Sequence, residues 1–370
     1  MTKPRPPSRA FFLTLRGPGR RRGATVFPSV RLGRPMAPAR APKDLVSISD
    51  IADGLDALLE HAARLKAERR AGAVRPTLAG KNLAMIFEKP STRTRASFEV
   101  AIGDLGGHAL YLSANDLQLG RGETIADTAR VLSRYVDAIC YRAFRHENVV
   151  QLARHASVPV INALDDLEHP CQIVADLLTM RERWPGGFHG RRLAWIGDGN
   201  NVLHSLLLGA AAVGLSVTAA TPDAYRPRAE IVAAARQLAA ATGASIQFTV
   251  SPEQAAKGAD ALYTDVWVSM GDEAEKAQRE QAFAGYQVNG RLLAQAAREA
   301  LVLHDLPAHR GQEITDEVLD GPHSAAWDQA ENRLHAQKAI LEQLLLGPSG
   351  PPPRPARNDV HRRRSRGRRK

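Results

Sequence analysis

Cysteine is almost missing from this sequence: Cys140 and Cys171 are the only two in 370 residues. Both sit inside apolar stretches with no metal-ligand spacing around them, which argues against a disulfide framework and against a cysteine-held metal. Such scarcity fits a reducing compartment. No apolar run reaches 18 residues, so no segment is expected to span a membrane. Acidic residues are missing from the first 43 positions, which hold eleven Lys and Arg, and residues 347–370 hold nine against the single Asp359. The formal charge of +11 therefore lies at the two ends, and the body from 44 to 346 carries 30 basic against 38 acidic residues. A mildly acidic body is no polyanion-binding surface, so nucleic acid is not an expected partner, and only the terminal HRRRSRGRRK has the charge to touch one.

Both basic ends are rich in Pro and Gly and poor in apolar periodicity. They bury too little to offset the entropy of ordering them, and disorder is expected over 1–43 and 347–370. The first stretch is Arg-rich and acid-free like a mitochondrial transit peptide, yet GPGRRRG at 17–23 would break a long amphipathic helix. The cytoplasm is the expected location, with the mitochondrial matrix as the alternative if residues 1–35 act as a targeting segment; Met36 is an alternative start.

At 370 residues the chain exceeds the roughly 250–300 at which one core stops growing, so two domains are expected. Short apolar runs alternate with helical segments, the pattern of a parallel α/β architecture. A helix over 50–70 precedes NLAMIF (82–87), a buried strand. TRTRASFEVAIGDLG follows as a helix, then HALYLS as a strand, ETIADTARVLSRY as a helix, and DAICYR (137–142) and VPVINAL (158–164) as strands. A helix over 170–183 leads to the turn-rich WPGGFHG, taken as the boundary between domains over 44–183 and 184–327. RLAWIGD, LSVTAAT, ASIQFTV, ADALYTDV and ALVLHDL repeat the logic as strands, and a helix over 328–346 packs back on the body. The fold class is α/β, two doubly wound parallel-sheet domains joined by helices.

In open α/β sheets ligands sit beyond the carboxyl ends of strands. Immediately after 82–87 comes EKPSTRTR, which places Ser91, Thr92, Arg93 and Thr94 where a helix begins. Unpaired first-turn N–H groups, the helix dipole, hydroxyls and a forked guanidinium together favour a phosphate. Serine-threonine at a helix start is by itself an ordinary cap; two arginines and a second threonine in the same turn move the balance toward an anion.

STRTR followed by SFE resembles the aspartate and ornithine carbamoyltransferase family, where this segment holds the phosphate of carbamoyl phosphate. The resemblance extends to Arg142 at the end of its strand, to HPCQ with His169 and Gln172, and to Arg333 in AENRLHAQKA. It implies that Thr94, Arg142 and His169 aim donors at the carbamoyl oxygen, whose charge grows as an amine attacks. Neither a metal nor a cofactor is implied. On its own, a histidine at a helix start is more often structural, and an arginine on a helix is often a solvated i,i+4 partner.

Three later segments resemble the ornithine branch. In IGDGNNVLHS the second Asn, Asn201, matches a position that contacts ornithine. The glycine-rich loop lacks a full GxGxxG, and Thr221 and Pro222 stand where a ribose-binding acid belongs, so a dinucleotide is not expected. In YTDVWVSMG the resemblance gives Asp265 the α-ammonium and makes Ser269 and Met270 part of a closing loop. LHDLPAHRG carries Asp305 and Leu306 and departs from the pattern, which has Cys at 305 near the reacting amine. A carboxylate there favours the unreactive ammonium, whose ordinary pKa is about 10.4, although it offers a proton acceptor. The resemblance covers about 44–346 and implies transfer of a carbamoyl group to the side-chain amine of L-ornithine. It also implies a homotrimer in which Gln118, on the loop DLQLGRGET, reaches a neighbour's site. The rival expectations are a carbamoyltransferase for another amine, and a low-activity relative in which Asp305 has replaced the usual Cys.

Overall fold

The computed structural model describes residues 43–119, 122–269, 271 and 273–347. The basic ends expected to be disordered, and Met270, lie outside them apart from Lys43 and Gly347. A capping box formed by Ser47 and Asp50 starts a 3-10 turn over Ile48–Gly54, so α1 (Leu55–Arg70) begins later than the expected residue 50.

Four strands form the first sheet: β1 (Asn82–Phe87), β2 (His108–Ser113), β3 (Ala138–Arg142) and β4 (Val160–Leu164). All pair in parallel in the order β2-β1-β3-β4. The connecting helices are α2 (Thr92–Asp104), α3 (Ile125–Leu132) and α4 (His146–His155). From Leu83 to Phe87 β1 is buried, as a strand covered on both faces requires. Two expectations need correction. The helix read over 123–135 shortens to α3, capped by Thr124. α4 has no counterpart among the expected helices, because Arg145 at its N-cap makes no side-chain cap; Asp166 Oδ1 accepts the first N–H instead, at 2.7 Å.

Next come α5 (Pro170–Arg183), β5 (Arg192–Ile196), α6 (Asn201–Val213), β6 (Ser216–Ala220), α7 (Ala229–Thr242), β7 (Ile246–Thr249), α8 (Pro252–Ala256) and β8 (Ala261–Thr264). They are followed by α9 (Lys276–Phe283), α10 (Gly290–Leu293), β9 (Leu301–His304), α11 (Asp316–Leu319) and α12 (Ala326–Leu346). The second sheet is again parallel, ordered β7-β6-β5-β8-β9. α12 starts two residues earlier than expected and packs on α1, α2 and α5, returning to the first half of the chain. One apolar core runs through both halves, from Leu45 and Met85 to Trp195 and Leu341.

Each sheet reverses its winding once. From β1 the chain goes to β2 on one side and then β3 on the other, so the crevice opens between β1 and β3; in the second sheet it opens between β5 and β8. Such switch points are where α/β sheets bind ligands. The expected site motifs, STRTR and Arg142 at one crevice and GDGNN and Asp265 at the other, stand at these two places.

Candidate active site

The α2 amino end is built by its own cap. Ser91 adopts extended backbone, and its Oγ accepts the Thr94 N–H at 3.3 Å and donates to Thr94 Oγ1 at 3.0 Å. Thr94 is buried, Arg93 half-buried and Thr92 exposed. Arg95, the second arginine of the motif, faces elsewhere: it lies 3.8 Å above the Tyr111 ring and pairs with Glu99 at 2.9 Å.

Two arginines from distant elements converge on the same threonine. Arg333 Nη2, from α12, donates to Thr94 Oγ1 at 3.0 Å, and Arg142 Nη1, at the end of β3, lies 3.5 Å from it. With its lone pairs taken, the Thr94 hydroxyl keeps its hydrogen as a donor. Arg333 Nη1 donates to Gln172 Oε1 at 2.5 Å. Among the described residues none of Arg93, Arg142 and Arg333 forms a salt bridge, and the Nε atoms of Arg142 and Arg333 have no partner. Burial, with Arg333 close by, lowers Arg142 to about 10, and burial lowers Arg333 as well, with Arg93 adding repulsion to both. Three buried or half-buried cations with spare donors form a cradle for a dianion.

His169 is the N-cap of α5, followed by Pro170 in the first turn. Its N–H donates to Ser205 Oγ at 2.9 Å, and that hydroxyl donates to the buried Glu168 at 2.9 Å. Burial first, then Arg333, Arg142 and Lys89, holds the imidazole well below its usual range, so the ring is neutral and donates one N–H. Lys89 escaped the sequence reading although it lies within EKPSTRTR. It is buried, its Nζ stands 5.4 Å from the Phe144 ring centroid, and burial beside Arg142 lowers its pKa. Asp176 was also missed; its signal was the i,i+4 spacing from Gln172 on α5. Cys171 is buried and its thiol is pushed up to about 12, so it is no nucleophile.

At the second crevice the glycine-rich loop is closed by the protein itself. Gly199 N–H donates to Tyr225 O at 2.8 Å, and a Cβ there would come within 2.3 Å of Pro227 N, so glycine is required by this backbone approach and not by a pyrophosphate. Asn200 caps α6 and its Nδ2 donates to Asp265 Oδ2 at 2.7 Å; Asn201 Nδ2 donates to the Asp165 carbonyl at 2.6 Å. Asp265 is buried and Ser269 half-buried. Arg279 from α9 ties Asp198 to the Trp267 carbonyl, at 2.8 and 3.3 Å, and so anchors the start of the 266–269 segment.

After β9, Leu306 takes a φ of +60°, a left-handed backbone that a branched side chain adopts only under constraint. The constraint is His304: its Nδ1 accepts the Leu306 N–H at 2.9 Å while Nε2 contacts Glu313 at 3.0 Å, which fixes the Nε2–H tautomer. Asp305 Oδ1 is buried without a hydrogen-bond partner. Burial, and then the charge of Asp265, push the Asp305 carboxyl well above the usual range. A carboxyl pushed in that direction takes up a proton more readily, and a cation brought beside it favours the charged form. Asp265, His304 and Asp305 bring ligand-type atoms within 4.8 Å of one another, but His304 Nδ1 is already engaged by Leu306, so the group suits an ammonium better than a metal.

Thr94, Arg142, Gln172 and Arg333 are thus joined by direct hydrogen bonds, with His169, Arg93 and Asp305 within electrostatic reach. Gln118 is exposed, on the loop before α3, where its carbonyl accepts the Glu123 N–H at 3.4 Å.

Two family models match the chain: the carbamoyl-P binding domain of aspartate/ornithine carbamoyltransferase over residues 43–182, and the Asp/Orn binding domain over 189–344. An ornithine carbamoyltransferase from Methanoculleus marisnigri is 56% identical over 306 residues, 82% of this chain and 97% of that one. A Thermoplasma volcanium relative named as catabolic is 51% identical over 82% of this chain and 99% of its own. The solved ornithine carbamoyltransferase of Pyrococcus furiosus superposes with a TM-score of 0.80 at 52% identity, covering 83% of this chain and 98% of that one. These matches span both halves and both crevices, and the chain belongs to the aspartate/ornithine carbamoyltransferase family.

Proposed function

We propose that this protein transfers the carbamoyl group of carbamoyl phosphate to the side-chain amine of L-ornithine, giving L-citrulline and phosphate. The observation that carries this reading is the convergence of Arg142 and Arg333 on Thr94 at the amino end of α2, with Arg93 close enough to repel both. Ser91 and Thr92 add the cap and first-turn donors for the phosphate, and Leu306 offers its constrained backbone at the rim. Thr94, Arg142 and neutral His169 direct hydrogens toward the carbamoyl oxygen as it gains charge. The δ-amine attacks the carbamoyl carbon, the C–O bond to phosphate breaks, and the three arginines take up the charge of the leaving group. The site works mainly by positioning.

Asp265, with Asn200 donating to it, receives the α-ammonium, while Asn201, Ser269 and Met270 complete the amino-acid pocket. Replacing Asp265 with Asn is expected to raise the KM for ornithine about 100-fold and leave that for carbamoyl phosphate unchanged, as loss of a buried charge-assisted bond requires; initial rates with each substrate varied separately measure this.

Citrulline formation by purified protein, set against products from putrescine, lysine and an acylated ornithine, tests the assignment. Citrulline alone supports it; a preferred other amine shows a different acceptor, and no product at any pH shows an inactive relative carrying Asp305. Relatives at 51% identity bear both anabolic and catabolic names, so the resemblance favours neither direction.

The functional unit in this reading is a homotrimer in which the exposed Gln118 completes a neighbour's cradle. Mixing inactive Gln118→Ala and Arg333→Met chains under dissociating conditions and reassembling them should restore activity, since some sites then combine two intact halves. A mixture no more active than its parents would rule out a shared site.

A further inference from the structure

Most side chains that form the cradle present donors. Arg93, Arg142, Arg333, Thr94, His169 and the first-turn N–H groups of α2 all present hydrogens. The Gln172 side chain differs from them, an amide with one donating and one accepting end. Amides turn over easily, and which end faces the ligand depends on what holds the other.

Asp176 holds it. Its Oδ1 accepts the Gln172 Nε2–H at 2.8 Å, so Oε1 is turned to the Arg333 side, toward the cradle, where Arg333 Nη1 meets it at 2.5 Å. A carbonyl oxygen has two lone pairs, and one remains for a ligand N–H. Asp176 is itself wholly buried and held from three elements: Gln172 on its own helix, the Tyr263 hydroxyl of β8 at 2.7 Å and Gln329 Nε2 of α12 at 2.9 Å. All three present hydrogens to the carboxylate. Burial raises the acid to about 6, so at neutral pH the chain keeps a costly charge at this point.

We propose that Asp176 is a positioning residue for acyl-phosphate selectivity: it fixes the Gln172 amide with oxygen toward the ligand, so that the site accepts the NH2 of a carbamoyl phosphate and rejects the isosteric methyl of acetyl phosphate. The inference rests on the cradle holding carbamoyl phosphate. A methyl in that place leaves Gln172 Oε1 facing carbon, and discrimination follows from the unmade hydrogen bond.

The test is the ratio of acetyl-phosphate inhibition constant to carbamoyl-phosphate dissociation constant in the full-length protein. Asp176→Ser, too short to reach the amide, and Asp176→Leu, similar in size but without an acceptor, should each lower the ratio about tenfold, the worth of one hydrogen bond. Asp176→Asn should restore it, since its carbonyl still accepts from Gln172 while its NH2 faces the Tyr263 oxygen. Tyr263→Phe, which breaks the Asp176 bond remote from Gln172, should leave the ratio unchanged. A ratio that folded Ser and Leu variants do not move, or one that Tyr263→Phe lowers as much as they do, overturns the proposal. If only the Ser variant folds, its ratio alone decides. A wild-type protein that fails to bind carbamoyl phosphate removes the reading of the site, and this inference with it; one that binds it, with a ratio indifferent to Asp176, removes the inference alone.

Discussion

Arg333→Met should lower kcat/KM roughly 100- to 1,000-fold while changing the melting temperature by only about 2–4 °C. The loss follows from removing a buried guanidinium that touches both Thr94 and Gln172, since a single preorganised donor at developing charge has about that effect on rate. The small thermal effect follows from opposing terms. Two hydrogen bonds are lost, but so is a charge that burial and the neighbouring arginine disfavour in the empty protein. A phosphate-bearing bisubstrate mimic at 100 times its dissociation constant stabilises a folded protein by about 2.7 kcal/mol. The wild type should show that gain in a thermal scan and the variant should show little of it. A variant that keeps both the gain and the rate would place the leaving group away from α2.

Asp305→Cys should move the pH optimum of citrulline formation down by about one unit. Only the neutral δ-amine attacks, and its ordinary pKa is near 10.4. Burial, and then the charge of Asp265, push the Asp305 carboxyl well above the usual range. An arriving ammonium reverses that balance: the carboxyl ionises beside it, and the pair then stabilises the unreactive cation, so a higher pH is needed to free the amine. A thiol, with a pKa near 8.5, is neutral over most of that range and exerts less pull. Rate profiles for both proteins from about pH 6 to 10, at saturating carbamoyl phosphate, measure the shift. Coincident profiles would mean that Asp305 does not face the reacting amine.

The strands were legible because buried parallel strands read as short apolar runs; NLAMIF matches β1 residue for residue. α4 was not, because its start has no side-chain cap and its register depends on Asp166, twenty residues away. The cradle was legible where motif and element coincide, as at Ser91 and Thr94. Its less visible parts are held by contacts far apart in sequence. Nothing local to Arg95 says that it stacks on Tyr111 while Arg333, 240 residues beyond Arg93, takes the inner position. Lys89 and Asp176 were missed for the same reason. A lysine before a helix and an acid in the middle of one look solvated until the packing that buries them is seen.

α12 comes after every strand of both sheets, yet it supplies an innermost cation of the first crevice. During synthesis Arg333, the eighth residue of that helix, is translated after all nine described strands. A ribosome-bound chain with both sheets already translated still lacks the guanidinium that meets Thr94 and Gln172. Premature stops anywhere before residue 333 should therefore yield polypeptides able to form strands but unable to retain the dianion, however much of the remaining architecture they assemble.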